Sequence, residues 1–224
     1  MTTRRTYGEG CAAAHALDLV GDRWALLVVR ELVLGPKRFT DLRAGVPGAS
    51  PNVLAQRLRD LEQAGVVWRR KLAPPAGSWV YELTEWGAEL DPVITALGRW
   101  GARSPSMPFQ SPIGVDALVL ALRAMFDPSA ANGLEARVAL SLGEHRFHVE
   151  LAGGEFEIVR GESDGADALL ATDPDTLEAL VFAGRPLEDA VASGDAAVEG
   201  DRRAVERLLA LFPLPEPAAP ATVA

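Results

Sequence analysis

The chain has 224 residues, 48% of them apolar, enough for two modest domains with their own cores. No apolar run approaches the roughly 18 residues that span a bilayer, and the opening MTTRRTYGEG lacks the apolar stretch of a signal peptide, so a cytoplasmic location is expected. A lone cysteine, Cys11, excludes an intramolecular disulfide and a cysteine-built zinc site, and the net charge of −9 hides an uneven distribution. Residues 1–105 carry 14 lysines and arginines against 11 acids, whereas the remainder carries 8 against 20. The rear part must therefore face away from phosphates. All five tryptophans and both tyrosines precede residue 102, which also points to two domains.

In chain order, CAAAHALDLV suits a short helix that Gly21 interrupts. Asp22 is placed to cap a second helix with Trp24, Leu27, Val28 and Leu32 on its apolar face, ending at Gly35 and Pro36. RFTDLRAGV reads as a third helix with Phe39 and Leu42 inward, and Pro47 and Gly48 turn the chain into SPNVLAQRLRDLEQAGVV. There Ser50 and Pro51 form a helix start, and the helical period sets Leu54, Leu58 and Leu61 on one stripe against Asn52, Gln56, Arg59 and Gln63 on the other. No acid precedes Asp60 in that segment, so an anionic partner has access to its first half. After Gly65 the period drops to two: VVWRRKL and SWVYELT form a hairpin around PPAG. Thr84 then caps a closing helix with Trp86, Leu90, Ile94, Leu97 and Trp100 on one side, kinked at Pro92. Three helices, a hairpin and a closing helix describe a winged helix-turn-helix over residues 1–103.

The blocks CAAAHALDLVGDRWALLVVRELVLGPKRF, SPNVLAQRLRDLEQAGVV and YELTEWG together resemble the HxlR-type family of bacterial winged-helix regulators over about residues 7–103. The resemblance implies a homodimer on a partly palindromic double-stranded operator, one recognition helix per half-site, with repression the expected output.

Pro105, Pro108 and Pro112 make residues 104–111 an extended, stiff connector. Beyond it DALVLALRAMF is an amphipathic helix, and EARVALSLG, HRFHVELAGG and GEFEIVRG alternate as three strands. Val138, Leu140 and Leu142 share a face, as do Phe147, Val149 and Leu151, and Phe156 and Ile158, so one core is expected under them. ALLATDPDTLEALVFAG adds a strand and a helix capped at Asp173, GDAAVEGDRRAVERLLALF a strand and a last helix, and residues 213–224 read as a disordered tail. The ATDPDTLEALVFAG and GDAAVEGDRRAVERLLALF blocks make residues 112–212 similar to the sterol-carrier-protein fold, a mostly antiparallel sheet covered by helices. That likeness implies a bound apolar or lipid-like molecule. The whole chain is of the α+β class.

Asn52 and Gln56 offer the paired donor and acceptor that adenine matches, Arg59 and Arg57 the fork that guanine matches or a phosphate grip, and Ser50 holds the helix start. Arg69, Arg70 and Lys71 beside the hairpin tip suit phosphates, although strand alternation prevents all three from pointing one way. The apolar ligand is expected against Phe126, Phe147, Phe156, Phe182 and Leu209, whose ordinary role is core. Cys11, one turn before His15, is either a small core residue or a redox-active thiol of the kind the family resemblance implies. His145 and His148 fall on opposite strand faces and make a poor metal pair. No phosphate-cradling glycine loop, HExxH or GxSxG is present, so neither an enzyme nor a resident cofactor or metal is expected. Two rivals to a ligand-responsive DNA-binding regulator stay open: a lipid carrier whose winged domain only dimerises, and a regulator whose rear domain is only structural.

Overall fold

Gly21 ends the first helix, α1 (Ala12–Val20), and the next, α2 (Ala25–Val33), begins only after Trp24, whose φ of 79° lies in the left-handed region. The computed structural model describes residues 6–109 and 111–219; residues 1–5 of the segment read for a signal peptide, residue 110 of the connector and residues 220–224 of the tail lie outside it. The chain divides into two units, up to Ile94 and from Thr95 onward.

In the first unit the late start of α2 shifts its register from the expected one. Ala25, Val28, Val29 and Leu32 are buried while Leu27 is exposed, because an i, i+3, i+4, i+7 stripe counted from Ala25 excludes position 27. Asp22 does not cap this helix: its carbonyl accepts from Ala25 N–H at 2.9 Å, and its carboxylate pairs with Arg57. Helices α3 (Phe39–Gly45) and α4 (Pro51–Gln63), joined through Val46 to Ser50, form the helix-turn-helix. The turn has no room for side chains at two places. A Cβ on Gly48 would lie 2.5 Å from the Trp24 ring, and one on Gly45 would run into the Glu31 carboxylate. Glu31 is buried but paired, accepting from Arg30 Nη2 at 2.8 Å and from Lys37 Nζ, while Arg30 also donates to the Gly45 carbonyl at 3.1 Å. A buried carboxylate is tolerated only when held this way. Leu42, Leu54, Leu58, Leu61, Val66 and Val67 complete the core.

Strands β1 (Val67–Lys71) and β2 (Trp79–Leu83) pair antiparallel with Arg69 opposite Tyr81 and Lys71 opposite Trp79. Lys37 adds a bridge to this wing, exchanging backbone bonds with Tyr81 at 3.0 and 2.8 Å. Thr84 caps as expected, its Oγ1 accepting from Gly87 N–H at 2.9 Å, but the closing helix is two helices, α5 (Glu85–Ala88) and α6 (Asp91–Ala102). Pro92 falls in the first turn of α6, where its missing N–H is harmless, so the chain breaks and restarts instead of kinking. The division between these two units falls inside α6.

The second unit is built on a five-stranded sheet in the order β5-β4-β3-β6-β7, with β3 (Ala136–Leu142), β4 (His145–Ala152), β5 (Glu155–Arg160), β6 (Ala168–Thr172) and β7 (Ala196–Gly200). Only β3 and β6 run parallel; the other three pairings are antiparallel, so the sheet is mixed. Val138, Leu140, Leu142, Phe147, Val149, Leu151 and Ile158 are buried together with helices α7 (Val115–Met125), α9 (Pro174–Phe182) and α11 (Arg202–Leu209). Alternation turns Arg137, Arg146, Glu155, Glu157 and Glu199 to the opposite, exposed face. Asp173 caps α9, accepting from Thr176 N–H at 2.8 Å, with Pro174 in the first turn. Two short helices, α8 (Pro128–Ala131) and α10 (Leu187–Ser193), have no counterpart in the sequence reading. Residues 213–219, expected to be disordered, hold neither helix nor strand but are tied down: Ala218 N–H donates to the Arg103 carbonyl at 2.7 Å and Arg103 Nε to the Glu216 carbonyl at 3.1 Å.

Candidate nucleic-acid interface

Ser50 fixes the start of α4 by accepting from Val53 N–H at 3.4 Å, and the first turn holds no acid to oppose the positive end of the helix dipole. Leu54, Leu58 and Leu61 anchor the helix in the core, which leaves Asn52, Val53, Gln56, Arg59 and Gln63 exposed on the other side. Within this ridge Arg59 Nη2 donates to Gln56 Oε1 at 2.7 Å, and Gln56 Nε2 donates to Asp60 Oδ1 at 2.7 Å. Gln56 is thus oriented before any partner arrives, its amide fixed between a guanidinium and a carboxylate. Asn52 and Gln63 add further amide donors and acceptors to the same exposed face.

Arg57 does not join the ridge. It pairs with Asp22 and, at 3.2 Å, with Asp60, and its side chain is only 18% exposed, so it fastens α4 to the α1–α2 turn. Ser50 likewise serves the helix start. On the wing, Arg69 and Lys71 share one side. Arg69 stacks over Trp79 at 4.7 Å and reaches Tyr81 at 5.8 Å. Arg70 points the other way into a forked pair with Glu82, whose hydrogen bond raises its pKa. The alternation rule foretold that split. Val53, Trp68 and Trp79 stay exposed beside the ridge and on the wing and were not expected there; a large apolar residue breaking a polar face was the available signal.

The residues proposed for an apolar ligand are brought together in part. Phe126 stacks on Phe156 with ring centres 5.3 Å apart, and Phe212, missed from sequence, closes the group at 5.1 Å from Phe156. Phe147 is not with them: it lies in the core under Arg160, which also bonds Asp116 and approaches His145 Nδ1 at 3.0 Å. Phe182 and Leu209 are half-buried on α9 and α11. His148 lies on the other side of the sheet, 2.7 Å from Ser163 Oγ, and no cluster of three or more metal-ligating side chains occurs among the described residues. Cys11 is exposed, which removes the core-residue alternative. The amides of Ala14 and Ala13 at the start of α1 draw its thiol pKa below the ordinary value.

Residues 19–107 match the HxlR-like helix-turn-helix family. The HTH-type transcriptional regulator YdeP of Bacillus subtilis (strain 168) is 37% identical over 97 residues, covering 42% of this chain and 74% of YdeP. The chain belongs to the HxlR-like family. YodB, another HTH-type transcriptional regulator of Bacillus subtilis (strain 168), is 38% identical over 85 residues, 38% of this chain and 76% of YodB. The crystal structure of quinone-bound YodB covers 39% of this chain and 92% of its own, at 35% identity and a TM-score of 0.35. The ridge on α4 and the wing lie within the part of the chain that matches this family of HTH-type transcriptional regulators. Where a sterol-carrier likeness was expected, residues 115–218 match the alkyl sulfatase C-terminal family. No helix among the described residues is long and apolar enough to cross a membrane.

Proposed function

We propose that this HxlR-like protein is a cytoplasmic, homodimeric repressor that places one α4 ridge in each half-site of a partly palindromic operator and binds an apolar or lipid-like molecule in its rear unit. The observation that carries the DNA reading is the exposed row Asn52, Gln56, Arg59 and Gln63, backed by a fully buried leucine stripe and pre-set by the Arg59–Gln56–Asp60 bonds. Arg69 and Lys71 meet phosphates from the wing. Exposed Leu17 on α1, and Leu97 and Trp100 on α6, supply apolar surface for a second protomer. The rear ligand is supported by the Phe126, Phe156 and Phe212 group and by the likeness to a family whose name couples an alkyl chain to a sulfate. Binding a molecule there changes operator affinity only by the ligand's differential affinity for the two arrangements of the dimer.

The test is a titration against duplexes selected in vitro from a random pool, repeated across salt concentrations. Affinity is expected to fall steeply with salt, and Gln56→Ala with Arg59→Ala is expected to lose discrimination by roughly 10-fold or more while keeping non-specific binding. Salt-independent or undetectable binding would leave the chain a lipid carrier. In parallel, decyl sulfate below its micellar concentration is expected to raise the melting temperature, less so in Phe126→Ala; no shift would make the rear unit purely structural.

A further inference from the structure

A groove of about 210 Å³ opens in the DNA-binding unit between α1 and α5, with Ala16, Leu19 and Val20 on one wall and Val66, Trp86 and Leu90 on the other. Its size selects the occupant first. A cavity of about 150 Å³ holds one benzene ring, and drug-sized ligands need about 300 Å³ or more, so this groove takes one ring with a small head group. Its chemistry selects the charge. Glu89, one helical turn beyond Trp86, lines the same groove and has no ion-pair partner among the described residues. Trp86 keeps 51% of its surface exposed, so its indole is available to a bound molecule. An indole beside a lone carboxylate attracts a weakly hydrated cation through the ring's quadrupole and the opposite charge together, and repels an anion.

We propose that this groove binds a small hydrophobic organic cation, an aromatic ring bearing an ammonium head, with the ring against Leu19, Val20 and Leu90 and the head between Trp86 and Glu89. The site lies outside the rear unit and is independent of the lipid-like ligand proposed there. It touches the end of α1, two residues before the Asp22 that holds Arg57 of α4.

Calorimetric titration of the full-length protein with benzyltrimethylammonium, benzyl alcohol and benzoate tests this directly. Saturable binding of one cation per protomer is expected, with benzyl alcohol weaker and benzoate undetectable. Glu89→Gln is expected to weaken the cation roughly tenfold and leave benzyl alcohol unchanged. Ala16→Phe, a change at an exposed helix position, fills the groove and is expected to abolish both. Benzoate binding as tightly as the cation, an unchanged cation affinity in Glu89→Gln, or no binding because a second protomer covers the groove would each overturn the proposal.

Discussion

Arg57 and Arg59 stand two positions apart on α4 and face nearly opposite ways, one into Asp22 and Asp60, the other onto the exposed ridge. Alanine at 57 is therefore expected to weaken DNA binding equally for all sequences, with a stability loss of about 1 kcal/mol or less because Asp22 is largely solvated. Alanine at 59 should instead relax preference at one operator position. Competition binding against single-base operator variants separates the two. Asp173 offers a second test at this scale. Burial pushes its carboxyl up, but the backbone and side-chain donors of Thr176 outweigh it and hold the pKa below the ordinary carboxylate value. A lowered folded pKa means the cap's contribution is complete above the unfolded value of about 3.9 and is lost as pH falls through the folded one. Asp173→Ala should cost about 1 kcal/mol at neutral pH. Asp173→Asn should keep most of the cap and remove that acid-side loss, as thermal unfolding across the acid range would read out.

The helix-turn-helix depends on two glycines because other residues already fill the space a side chain would need. Gly48→Ala sets a methyl against the Trp24 ring and is expected to destabilise the unit by about 1–3 kcal/mol, measurable as a lower denaturation midpoint with unchanged slope. Elements with local signals were legible in the sequence: the serine cap and leucine stripe of α4, the alternating hairpin strands, the Asp-Pro start of α9. Elements set by tertiary context were not. The left-handed Trp24 shifted the buried face of α2 by one position, and nothing in the sequence near Asp22 reveals a partner 35 residues away in Arg57. Helix α10 is seven residues long, too short for a periodic stripe to stand out from turn material. Residue 92 announced a disturbance, but a kink and a restart look alike before packing is known.

At the scale of the whole molecule, charge and chemistry divide together. The HxlR-like part carries the small basic excess and the exposed polar ridge, and the part matching the alkyl sulfatase C-terminal family carries the acidic excess and the phenylalanine group. The outward face of α4 was readable because amphipathicity fixes which of its residues are exposed; which arginines are held within the fold was not. The apolar residues of the rear unit were harder still, since Phe147 and Phe156 share a sheet face, yet Phe147 lies in the core under Arg160 while Phe156 joins Phe126 and Phe212. The most direct measurement is methylation protection of guanine N7, a major-groove atom, on a selected operator bound by the full-length protein. Protection is predicted in two patches about 10 base pairs apart or a multiple of that, weakened in Arg59→Ala. A bound duplex with every guanine N7 still open to methylation would contradict the placement of α4 in the major groove.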